Sequence, residues 1–219
     1  MTAPKVVLRS LALLAICFAA VLTAKAQTST TINSTFSTDN QIFTYTFNSS
    51  STQDFTFYTT SYGGGMNANG TFTGPGGFVP VLTLFSSTTG NALAFGGGDG
   101  MCHGSANTDA TTGLCEDAFL TALLGAGSYT LDLTEFPNVA IGGLNDGFLA
   151  GSDPNFTGTT CNGSSSQFLQ VDVAPCIQRN NNFTLNVSTS PVPEPSTWLF
   201  MLPSVAGLAL FGRRQLAKF

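Results

Sequence analysis

The sequence predicts an all-β protein: a single antiparallel β-sandwich, jelly-roll-like, set between an N-terminal signal helix and a C-terminal transmembrane helix. Three observations predict the sandwich. Apolar residues recur at every second position in several short runs, which is the period of a half-buried strand. Segments rich in glycine and asparagine separate these runs and supply the positive φ angles of tight turns. Charged helix-formers are scarce, since only 9% of the chain is charged, while the β-formers threonine and phenylalanine abound.

Residues 1–26 read as a secretory signal peptide. Lys5 and Arg9 precede an uncharged apolar run from Leu11 to Leu22, and Ala24-Lys25-Ala26 forms an A-x-A cleavage site, so the mature chain is expected to begin at Gln27. The apolar run of about 12 residues is short for a membrane span.

Residues 27–189 are expected to form the sandwich, and roughly 165 residues are enough for one core and hardly for two. In QIFTYTF, Phe43, Tyr45 and Phe47 share one face; Phe55 and Phe57 do so in DFTFYTT. PVLTLF sets Val81, Thr83 and Phe85 against Leu82 and Leu84, so both of its faces could be buried. Tyr129, Leu131 and Leu133 alternate in SYTLDLTEF, Leu169, Val171 and Val173 in QFLQVDV, and Phe183, Leu185 and Val187 in NFTLNV. CEDAFLTALLGAG reads either as a helix or as a strand, and the strand is preferred.

Cys17 leaves with the signal, and Cys102, Cys115, Cys161 and Cys176 remain. An even count in an exported chain points to disulfides. Four cysteines allow three connectivities; Cys102–Cys115 with Cys161–Cys176 is preferred because each pair brackets a polar loop. Free buried thiols are the alternative. Zinc is disfavoured, since no C-x-x-C occurs and the chain has one histidine.

Residues 190–219 form the tail. STSPVPEPST reads as an extended linker. From Ser196 to Gly212 the chain is mainly apolar, about 17 residues and so at the lower limit for crossing a bilayer. Arg213, Arg214 and Lys218 follow it, and positive charge stays cytoplasmic, which places the body outside the inner membrane.

Pro193-Glu194-Pro195, the apolar segment beginning near Trp198, and Arg213-Arg214 together resemble the PEP-CTERM sorting signal of Gram-negative bacteria. The resemblance covers about 28 residues and has the three parts in order. It implies that an exosortase, a membrane cysteine transpeptidase, recognises Pro193-Glu194-Pro195 and cleaves near it. The released protein would then reach the cell surface or the exopolysaccharide (biofilm) matrix. The body resembles the bacterial pre-peptidase C-terminal β-sandwich in scattered patches covering about 100 residues: Gln53–Phe57, Ser61–Gly65, Gly76–Phe85 and Gly125–Leu131. It departs from that family at Val79 and near Gly98-Asp99, where the family carries further aspartates.

Charge limits the partners. Without signal and tail, only Arg179 faces eleven carboxylates, a net charge near −10. Such a surface repels nucleic acid and anionic lipid, leaving divalent cations and neutral glycans. Catalytic sets are not expected. His103 sits in a glycine-rich loop with no assignable serine partner, no G-x-S-x-G occurs, and GGGDG lacks the lysine and helix of a phosphate loop. The positive expectation is calcium held by Asp99, Asp109, Glu116 and Asp117 in the loop that a Cys102–Cys115 bond would fold back, because calcium takes oxygens from flexible loops. A non-catalytic surface or matrix protein touching polysaccharide is therefore expected, with a carbohydrate-binding module or a secreted hydrolase as alternatives. Most aromatics occupy alternating strand positions and read as core.

Overall fold

A computed structural model describes residues 27–157, 169–170 and 177–192 of the chain. Twelve strands lie in this part: β1 (Thr28–Thr35), β2 (Phe43–Ser49), β3 (Gln53–Thr59), β4 (Gly65–Met66), β5 (Phe72–Thr73), β6 (Pro80–Ser86), β7 (Ala92–Gly97), β8 (Phe119–Leu124), β9 (Gly127–Glu135), β10 (Leu169–Gln170), β11 (Ile177–Gln178) and β12 (Asn182–Pro191). Two four-stranded antiparallel sheets dominate, in the orders β1-β12-β3-β8 and β2-β9-β6-β7; β4-β5 and β10-β11 are two-stranded ribbons.

The alternation decides which side of each strand meets the other sheet. Phe55 and Phe57 of β3, Leu120 and Leu124 of β8, and Phe183, Leu185 and Val187 of β12 point inward from the first sheet. Leu82 and Leu84 of β6 and Leu131 and Leu133 of β9 meet them from the second. Rings interlock across the gap: Phe43 of β2 packs on Phe183 at 4.9 Å, and Phe47 packs on Phe55 at 4.9 Å and Phe57 at 5.5 Å. Truncating a ring such as Phe57, which is wholly buried, removes packing worth about 3–5 kcal/mol.

CEDAFLTALLGAG resolves to strand: β8 pairs with β3 from Gln53↔Leu124 to Tyr58↔Phe119. Its alternating apolar residues find a core on one side, which a helix at that sheet edge would not reach. β1 and β7 go beyond the predicted runs. β1, with the sequence TSTTINST, is mostly exposed and pairs only with β12, so nothing in its burial requires an apolar alternation.

Both sheets are covered on their outer faces. The β4–β5 hairpin folds over the first sheet, where Asn186 and Thr184 are fully or almost fully buried. It can lie so close because Gly64, at φ +77°, has no side chain: a Cβ there would sit 2.9 Å from the Thr73 carbonyl oxygen. Over the second sheet runs the segment 136–157. It leaves β9 at Glu135, meets Gly90 at the far end of β6 through the Leu144 N–H (2.7 Å), and returns to accept the Asp39 N–H on Pro154 O (3.1 Å). This cover explains why Val81, Thr83 and Phe85 are as buried as Leu82 and Leu84, as the two-faced β6 run anticipates.

Candidate functional site

Strand alternation turns the threonines and asparagines of the first sheet away from the core, where the β4–β5 hairpin meets them. The result is a hydrogen-bonded polar layer. Thr31 Oγ1 and the Ala68 N–H donate to Asn186 Oδ1 at 2.8 and 2.9 Å. Thr60 Oγ1 donates to Asn67 Oδ1 at 2.6 Å, while Asn67 Nδ2 donates to Thr73 Oγ1 at 2.8 Å and Thr71 Oγ1 at 3.0 Å. Each amide uses both its donor and acceptor ends, so the layer locks the hairpin in one register.

Beside this layer opens a groove of about 720 Å³, between the end of β1, the Thr71–Pro75 stretch and the start of β12. Asn33, Asn180 and Asn182 present exposed amides to it, and Phe72, 64% exposed, stands among its walls. Ser61 lines it too: the residue is 2% exposed, and its hydroxyl has no hydrogen-bond partner. Among the described residues, no charged side chain lines the groove. Amides, hydroxyls and a single exposed ring can bond and stack on an uncharged polar ligand.

The four carboxylates expected to hold calcium are not brought together. Asp109, nearly buried, takes two 3.1 Å bonds from the Arg179 guanidinium, which also lies 4.1 Å over the Tyr62 ring. Burial pushes its carboxyl up, but the Arg179 and Thr112 bonds more than offset this and hold it below the usual range. Asp117 turns into the protein and accepts Thr59 Oγ1, Tyr62 N and Gly63 N at 2.8, 3.1 and 3.0 Å; burial raises its carboxyl against those donors. Glu116, on the opposite side of the chain, lies along the Gly98 backbone. Asp99 is exposed and bonds His103 Nε2 at 2.9 Å, which lowers its carboxyl. Among the described residues, no three carboxylate, histidine or cysteine side chains gather around one point. The competitor was Arg179, which lies 70 residues from Asp109 and gave no sign of its partner in sequence.

His103 stacks on Phe119 with centroids 4.6 Å apart and faces Asp99; no serine, threonine or cysteine among the described residues hydrogen-bonds its ring. Cys102 and Cys115 are bonded to each other. Cys161 and Cys176, the cleavage residues Ala24 and Ala26, and the tail residues Pro193, Glu194, Pro195, Arg213 and Arg214 lie outside the described residues. No helix among the described residues is long and apolar enough to cross a membrane.

The groove was not visible in sequence. Phe72 belongs to a two-residue strand in TFTGPGG and carries no alternation to mark it as exposed. Comparison with family models, curated proteins and solved structures finds no match for the chain.

Proposed function

We propose that this is an exported protein, sorted by an exosortase to the cell surface or extracellular matrix, whose non-catalytic sandwich holds a neutral polysaccharide in the Phe72 groove. One observation carries the ligand class: a groove of amides and hydroxyls beside an exposed ring, with no charged side chain among the described residues that line it. Such walls exchange hydrogen bonds with sugar hydroxyls and offer an apolar face to a sugar ring. An anionic polymer would find no cation among the lining residues to pair with. A free-standing carbohydrate-binding module would use the same groove, and the two readings differ in delivery.

Delivery rests on the two termini: the A-x-A site at Ala24 and Ala26, and the tail in which Pro193-Glu194-Pro195 precedes an apolar segment and Arg213-Arg214. In this reading a signal helix directs export, and a transmembrane helix holds the chain in the inner membrane until cleavage. We also read the winding as jelly-roll-like. Counting the eight long strands in chain order, the sheets run first-eighth-third-sixth and second-seventh-fourth-fifth, and that interleaving supports two nested Greek keys.

A screen of neutral and charged polysaccharides against the purified chain tests the groove. Neutral glycans should bind, and Phe72→Ala should weaken binding about tenfold, or ~1.4 kcal/mol, without shifting Tm. Equal binding by the variant sinks the groove. Mass spectrometry of protein released from the cell surface tests delivery: the chain should begin at Gln27 and end near Pro195, and surface protein retaining Phe219 refutes the sorting.

A further inference from the structure

The end of β9 carries a buried carboxyl that the groove does not use. Glu135, its last residue, is 1% exposed, and neither Oε1 nor Oε2 has a hydrogen-bond partner. Asp39, in the connection from β1 to β2, is fully buried and close enough for its charge to act on Glu135. The covering segment reaches the same place. Pro154 O accepts the Asp39 N–H, and the Thr157 hydroxyl donates to Asp39 Oδ2. Between them stands Asn155, whose Oδ1 is buried and also without a partner.

A carboxyl in this position can be neutralised by a proton or by a cation. Burial, with the Asp39 charge adding to it, pushes Glu135 up to about 9, so its charge is costly here at neutral pH. A proton removes the charge but creates an O–H donor in place of an acceptor, and it leaves the Asn155 oxygen unmet. A cation would keep the carboxyl an acceptor and would also offer the Asn155 oxygen a partner.

We propose that Asp39, Glu135, Asn155 and Thr157 form a calcium site that fastens the 136–157 cover to the β1–β2 connection. The set is all oxygen, with two carboxylates, an amide and a hydroxyl from three separated segments. Calcium accepts six to eight such ligands in irregular geometry. Magnesium requires a strict octahedron and retains its waters, which a buried position disfavours, and zinc seeks nitrogen and sulfur. The site shares no residue with Asp99, Asp109, Glu116 and Asp117.

The full-length chain, stripped with chelator, is titrated with CaCl2 by calorimetry and thermal melting, with MgCl2 in parallel. One calcium ion should bind per chain, and Tm should rise by roughly 5–10 °C at a hundredfold excess over Kd. Glu135→Gln should abolish the response, and Asn155→Ala, which keeps both carboxylates, should weaken binding about tenfold. If Glu135→Gln does not fold, Asn155→Ala carries the test alone. Absence of calcium binding overturns the site, as does a calcium response undiminished in the variants or matched by magnesium. A Glu135→Gln protein more stable than the parent, with calcium affecting neither, would show that the carboxyl holds a proton instead.

Discussion

Arg179 is the one cation between the signal and the tail, and the fold buries it. Its guanidinium faces Asp109 with two bonds and Tyr62 with its flat side, while the Tyr62 hydroxyl shares a 2.9 Å bond with Thr112. The planar fork suits both partners, whereas lysine would lose the two-point contact. Arg179→Ala should cost about 3–5 kcal/mol, because Asp109 would stay buried without its counter-charge. The pH dependence identifies the cause. In the parent, Asp109 sits below its usual 3.8, so its contribution is complete above that value and is lost as pH falls through the lowered one. In the variant, burial without Arg179 raises the carboxyl, and acidification from about pH 5 should then relieve part of the loss. Urea melts of both proteins between about pH 3 and 7 measure this; parallel pH profiles would contradict the assignment.

The Cys102–Cys115 bond closes the loop that carries His103 and Asp109, and that loop also packs on the β4–β5 hairpin through the Asn107 N–H to Gly64 O bond of 2.8 Å. In the chain-entropy model, a crosslink across 13 positions contributes about 3 kcal/mol. Replacing both cysteines by alanine should lower Tm by roughly 6–12 °C while leaving the sheets intact by far-UV circular dichroism. An unchanged Tm would mean that the Asp109–Arg179 pair holds the loop unaided. Other elements differ in how openly the sequence displays them. β2, β3, β9 and β12 each turn one apolar face toward the core, and their phenylalanines and leucines alternate accordingly, although covering segments bury the outer face of β9 and β12 as well. β7 has the opposite character: Leu93 and Phe95 are 48% and 59% exposed, and a glycine pair ends it, so its apolar pattern does not mark an inner face. β1 is polar apart from Ile32, because the β12 backbone does most to hold it in place.

Across the molecule, the two sheets share one core, and the central strands of each outer face lie under a cover of their own. The covers account for a composition that looks solvent-exposed on paper. Many threonines and asparagines lie between layers, where Asn186 and Asn67 bond to four chain segments. An alternating polar position shows only that a side chain faces away from the core. It does not show whether water or another segment waits there, so the polar layer and the groove beside it were beyond reach of periodicity. The same holds for carboxylates. Asp99, Asp109, Glu116 and Asp117 are close in sequence and look like one loop of oxygens, but strand alternation and a distant arginine separate them. Asp39 and Glu135 are far apart in sequence, yet the fold brings them near enough for one charge to act on the other.

By itself, the chain's order of residues determined the strand class and the inward face of β2, β3, β9 and β12, and it favoured the double burial of β6 and the pairing of Cys102 with Cys115. Each of these depends on neighbours a few positions away, or on a loop short enough for its ends to meet. Only the tertiary structure decided that Arg179 takes Asp109, that the Thr157 hydroxyl reaches Asp39 across 118 positions, and that Phe72 stands beside an open groove. Those contacts form between segments brought together by the packing of two sheets and their covers, and no local pattern encodes which segments those will be.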